Sequence, residues 1–171
     1  MNATPAGHGG DTPDERPGPA HPNTKILVVE DESALRELMR LVLEKEGHSV
    51  IATDDGAKGL ETLLEQPDIP LVLLNLLMPR MPGEEFLARI LELPARQRPT
   101  VIVVTGKVPT PEPSDWPAGL VAAVLRKPYK QTELLERVRS VLQSRATSGG
   151  GEHLNSRQNG QQSSGSGPAE S

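Results

Sequence analysis

A chain of 171 residues with a net charge of −5 and no cysteine excludes disulfides, thiolate catalysis and cysteine-type zinc sites. The charge divides into −2 over residues 1–24 (Asp11, Asp14 and Glu15 against Arg16), −1 over 146–171 (Glu152 and Glu170 against Arg157) and −2 between them, so the middle lacks the clustered Lys/Arg face of a nucleic-acid module. No apolar run approaches the roughly 18 residues of a membrane span, and the first residues lack the basic start and apolar core of a signal peptide; the expectation is a cytoplasmic protein with neither membrane nor nucleic-acid partners.

Residues 1–24 hold five prolines and almost no large apolar residue, the composition of a disordered arm. Residues 146–171, Gly/Ser/Gln-rich, bury too little apolar surface to offset ordering entropy and read as a flexible tail. One domain is therefore expected over residues 25–145, with no output domain after it.

Inside that span the first element is Lys25-Ile-Leu-Val-Val29, a β-branched run ending in Glu30, Asp31 and Glu32. Leu35, Leu38, Met39, Val42 and Leu43 then follow helical spacing, with Ser33 as the expected N-cap and Gly47 just past the end. His48 to Ala52 reads as a short edge strand, and Ala57, Leu60, Leu63 and Leu64 as a second helix closed by Pro67. Leu71 to Gly83, Leu-Val-Leu-Leu-Asn-Leu-Leu-Met-Pro-Arg-Met-Pro-Gly, is a buried strand that delivers one polar side chain, Asn75, to its end before a Pro/Gly turn. Phe86, Leu87, Ile90 and Leu91 give Glu84 to Leu93 an apolar face, stopped by Pro94; Thr100 to Thr105 is a fourth strand ending in a hydroxyl. Pro109, Pro111, Pro113 and Pro117 deny a helix where the alternation requires one, so an irregular crossover is expected. Leu120 to Arg126 is a fifth strand, ending at Lys127-Pro128, and Leu134, Leu135, Val138, Val141 and Leu142 define a last helix that fades at Arg145.

Strands alternating with helices specify a doubly wound parallel α/β sheet, which brings Glu30, Asp31, Asn75, Thr105 and Lys127 to one carboxyl edge, where such sheets bind ligands. Paired carboxylates are hard ligands for Mg²⁺, and a lysine and a hydroxyl suit phosphoryl oxygens. With its motifs Val-Val-Glu-Asp-Glu, Leu-Leu-Asn-Leu-Leu-Met-Pro-Arg-Met-Pro-Gly, Val-Val-Thr-Gly and Arg-Lys-Pro-Tyr in that order, the chain from Lys25 to about Arg145 resembles the receiver domains of bacterial two-component response regulators.

The resemblance implies a flavodoxin-like five-stranded parallel sheet in the order 2-1-3-4-5, here with a degraded fourth helix. It implies Glu30 and Asp31 as the acidic pair, with Asp31 the direct Mg²⁺ ligand, Leu77 as the carbonyl donor to the metal, Thr105 as the switch hydroxyl and Lys127 as the partner of the phosphoryl group. It makes Lys127-Pro128 a candidate cis bond. The central position departs from the pattern, because Asn75 stands where the family has its phosphate-accepting aspartate. A neutral amide is a poor nucleophile, and losing one unit of negative charge, worth on the order of 4 kcal/mol at a few ångströms with an effective dielectric near 20, weakens any Mg²⁺ site. The strand position of the family's relay aromatic falls near Val124.

These residues lead to the expectation of a stand-alone pseudo-receiver, a binding module and not an enzyme. It would engage a signalling protein, a histidine kinase or a downstream effector, through the face formed by the fourth crossover, the fifth strand and the last helix, with Trp116, Val124 and Tyr129 as its markers. The alternatives are a phosphate acceptor using Glu30, Asp31 or a deamidated Asn75, and an ordinary receiver carrying an Asp-to-Asn substitution. Blander roles stand beside these: a satisfied structural amide for Asn75, a solvated acidic turn for Glu30 to Glu32 that favours the first helix, Thr105 and Lys127 bonding to the acids, and Trp116 as a loop anchor. A flavin-binding protein or small enzyme lacks the Gly-rich phosphate loop after strand one.

Overall fold

Four of the five strand runs are apolar at nearly every position, and in the computed structural model, which describes residues 23–148, they lie side by side as one parallel sheet. The elements are β1 (Lys25–Val29), α1 (Ser33–Lys45), β2 (Ser49–Thr53), α2 (Gly56–Glu65), β3 (Leu71–Asn75), α3 (Gly83–Glu92), β4 (Thr100–Thr105), β5 (Val121–Arg126) and α4 (Gln131–Ser148). The strand order is β2-β1-β3-β4-β5, as expected.

Because strand side chains alternate between faces, each central strand feeds two cores. Leu27, Val29, Val72, Leu74, Val101 and Val103 meet Leu63 of α2 and Phe86 and Ile90 of α3 on one face. On the other, Ile26, Val28, Leu71, Leu73 and Ile102 meet Met39 and Leu43 of α1 and Leu134 and Val138 of α4. An unbroken apolar run is therefore what a strand covered on both sides requires.

Three local expectations are corrected. Ser33 lies inside α1, where the N-cap is Glu32 in extended conformation with no side-chain cap; the chain turns one residue earlier than the capping pattern implies. Leu64 does not join the buried stripe of α2 but is 67% exposed, at the solvent edge of the face that carries Leu60 and Leu63. α4 does not fade at Arg145 but continues to Ser148, and Arg145 contacts the Thr100 hydroxyl at the start of β4. Helical backbone thus enters the first residues of the expected tail. The rest of that tail and the expected arm up to residue 22 lie outside the described residues.

The fourth crossover carries no α-helix: between β4 and β5 there is only a three-residue 3-10 turn, Pro113–Asp115, preceded by a cis Val108-Pro109 bond. The Asp115 carboxylate accepts the Glu112 N–H at 2.9 Å, and Trp116, half-buried, packs on the core face shared by α2 and α3. Gly119 turns the chain into β5 at φ +83°, a conformation that L side chains seldom adopt. The bond before Pro128 is also cis.

Candidate functional site at the carboxyl edge of the sheet

Parallel strands end together, so the residues that close β1, β3, β4 and β5 converge. Glu30 follows β1, Asn75 and Thr105 are the last residues of β3 and β4, and Lys127 follows β5. Glu30, Asn75 and Thr105 are buried, whereas Asp31 is exposed.

Asn75 is the hub. Its Nδ2 donates to Glu30 Oε1 at 2.9 Å, to Asp31 Oδ1 at 2.9 Å and to the Leu77 carbonyl at 3.1 Å, while its Oδ1 accepts the Leu77 N–H at 3.1 Å. The chemistry of the partners sets the orientation of the amide: carboxylates and a carbonyl only accept, and a backbone N–H only donates. The other Glu30 oxygen takes the Lys127 ammonium at 2.7 Å. Burial pushes the Glu30 carboxyl above the ordinary glutamate value, and the hydrogen bond and positive charge of Lys127 pull against that shift. Gly83 closes the loop behind Asn75, donating its N–H to the Leu76 carbonyl at 3.0 Å. A Cβ there would come within 2.7 Å of the Asn75 carbonyl oxygen and Leu76 Cα.

This geometry lies within the stretch that matches a known family. The family model described as the response regulator receiver domain matches residues 26–139. The chain belongs to that family. Among curated receiver relatives, it is 34% identical over 133 residues to the transcriptional regulatory protein CseB of Streptomyces coelicolor, covering 75% of this chain and 53% of that protein. It is 31% identical over 118 residues to the response regulator receiver protein CpdR of Brucella abortus, covering 69% of this chain and 96% of that one. The chain thus spans about half the length of the first of these relatives and nearly all of the second. A receiver domain protein from Clostridium thermocellum shares the fold at a TM-score of 0.64, with 24% identity over 72% of this chain and 98% of that one.

The receiver family implies a Mg²⁺ held by the acid pair Glu30 and Asp31, with Asp31 the direct ligand, and by the Leu77 carbonyl, next to position 75. The residues present do not fit a cation. Nδ2 of Asn75 directs N–H groups at the oxygens that would have to face the metal, and among the described residues no group of three or more His, Cys, Asp or Glu side chains is arranged to hold one.

The remaining expected residues separate. Lys127 bonds to the acid pair through Glu30, but the Thr105 hydroxyl does not: it accepts the Lys107 N–H at 3.0 Å. Of the three markers of the interaction face, Val124 lines a groove between β5 and α4, Trp116 packs beneath the fourth crossover, and Tyr129 packs on the α1/α4 side with its hydroxyl buried and without a partner. Three contributors escape a reading of the sequence. Arg36 of α1 donates to the Glu30 and Asp31 carbonyls at 2.8 and 3.1 Å. Lys107 pairs with Glu84 at 2.7 Å, tying the loop after β4 to α3. Asp55 caps α2 through the Ala57 N–H and pairs with Arg80 at 3.1 Å. Arg36 acts on backbone carbonyls, which carry no residue signature, and the other two join segments far apart in sequence.

Proposed function

We propose that this receiver domain is a pseudo-receiver that signals by binding a partner protein without accepting phosphate. The observation that carries the reading is Asn75: the phosphoacceptor position holds a neutral amide whose oxygen already accepts the Leu77 N–H, so that position offers no anionic oxygen for attack on a phosphoryl group. The binding surface in this reading is the β5/α4 side next to the fourth crossover. A groove of about 860 Å³ there is lined by Val124, Arg126, Glu133, Glu136 and Arg137, beside the segment where a receiver would carry a helix. The partner class is a histidine kinase or a downstream effector, and the domain works as a binding module rather than an enzyme.

Incubation with Mg²⁺ and acetyl phosphate, followed by mass spectrometry, is the test. The expected result is an unmodified chain; a stable, acid-labile phosphate on Glu30 or Asp31 would establish the phosphate-accepting alternative. Affinity capture from the source cell then compares wild type with Asn75→Asp. Equal recovery of the same signalling protein without phosphate supports the reading, and recovery only by phosphorylated Asn75→Asp overturns it.

A further inference from the structure

We infer that the Asn75 amide is a built-in substitute for the divalent cation, its N–H₂ group tying the loops after β1 and β3 together so that the pocket neither needs nor admits a metal. Three oxygens from two loops, Glu30 Oε1, Asp31 Oδ1 and the Leu77 carbonyl, converge on one nitrogen at 2.9 to 3.1 Å. These are hydrogen-bond lengths to a donor. Convergence of oxygens on a point is also what a cation requires, but Mg²⁺ would need them at about 2.0–2.1 Å with the amide nitrogen gone from their centre.

The amide cannot step aside by flipping. Rotation by half a turn would set its oxygen against two carboxylates and a carbonyl, and its N–H₂ against the Leu77 N–H that Oδ1 now accepts. Such a state loses every one of the amide's bonds and replaces them with repulsive pairs. Charge disfavours the metal too, since Lys127 already neutralises Glu30 at 2.7 Å, leaving Asp31 as the single unpaired carboxylate of the cluster. Asparagine has the shape of aspartate, so the pocket keeps its form while exchanging an acceptor that binds metal for a donor that replaces it.

The inference concerns the cation and stands apart from the partner-binding reading: metal binding with intact phosphate-free capture would sink only this proposal. Mn²⁺ serves as the probe, its free signal followed by electron paramagnetic resonance, with thermal melts in EDTA and in millimolar Mg²⁺ alongside. Wild type should leave the Mn²⁺ signal unchanged and melt at the same temperature in both buffers. Asn75→Asp replaces the donor with a third carboxylate; it should melt lower than wild type in EDTA, recover with Mg²⁺ and bind Mn²⁺ at least about tenfold more tightly than wild type. Saturable Mn²⁺ binding by wild type, or an Asn75→Asp variant as stable as wild type in EDTA, overturns the inference. If Asn75→Asp does not fold, the wild-type side-chain amide resonances decide it: they should be protected from exchange and unmoved by Mg²⁺, and a saturable shift refutes the proposal.

Discussion

Two connections leave the same edge of the sheet and are built in opposite ways. The one after β3 is tied inward at its start and its end: both polar ends of the Asn75 amide are bonded, and Gly83 brings the backbone against itself. The one after β4 has four prolines, a single 3-10 turn and one large side chain, Trp116, on the core. Both differ from what the receiver family implies, the first by a change of charge in an unchanged shape and the second by a change of shape. A domain can therefore keep its fold while departing from its family at the site and at the surface, because the apolar layers on the two faces of the sheet are built mainly from strand and helix residues.

Breaking the first connection should have the largest effect. Asn75→Leu removes at once the donor to Glu30 Oε1, to Asp31 and to the Leu77 carbonyl and the acceptor of the Leu77 N–H, and should cost about 3–5 kcal/mol in urea unfolding. A loss under about 1 kcal/mol would mean that water satisfies these groups and the hub is not structural.

Lys127→Met comes next, at about 2–4 kcal/mol near neutral pH, since it leaves Glu30 buried without its cation. The sign with pH follows from Glu30: burial raises its carboxyl above the ordinary 4.5, and losing Lys127 removes the influences that lower it. The folded state then holds the proton more tightly than the unfolded chain, so the destabilisation is full above the raised value and relieved as pH falls through it. Melting curves from neutral to mildly acidic pH, compared with wild type, should show the gap narrowing; a gap that widens on acidification would refute the assignment.

Gly83→Ala sharpens the contrast on steric grounds, because the contacts facing the new methyl group are largely backbone atoms that cannot rotate away. About 1–3 kcal/mol of destabilisation is expected, visible as a lower melting temperature without a change in secondary structure. The smallest effect belongs to the second connection. Trp116→Ala should cost about 1–2 kcal/mol, below the range of a fully buried aromatic, because the ring is only half-buried. A loss as large as that of Asn75→Leu would show that the fourth crossover is as tightly held as the third.

Much of the fold is legible in the residues. The runs around Val28, Leu73 and Val103 are apolar at every position because both faces of those strands are covered, and the prolines from 109 to 117 forbid the helix that the structure indeed lacks. The site is legible in part. Glu30, Asp31, Asn75 and Lys127 are recognisable as strand ends, and they do meet. Thr105 meets a neighbour's N–H instead, since a hydroxyl bonds to the nearest available donor, two residues away. The extension of α4 past Arg145 is invisible to apolar periodicity because residues 143 to 147 are exposed and polar or small, and the contact that Arg145 makes lies at the start of a strand distant in sequence.

The sequence by itself determined the order of the elements, the two-sided burial of the sheet and the neutrality of position 75, because periodicity, proline chemistry and side-chain charge are local properties. Only the tertiary structure decided what that neutral amide does. Its donor and acceptor ends are directed by Glu30, 45 positions away, by Asp31, 44 away, and by the turn at Leu77, and a hydrogen bond's direction exists only once its partners have been brought to the same edge.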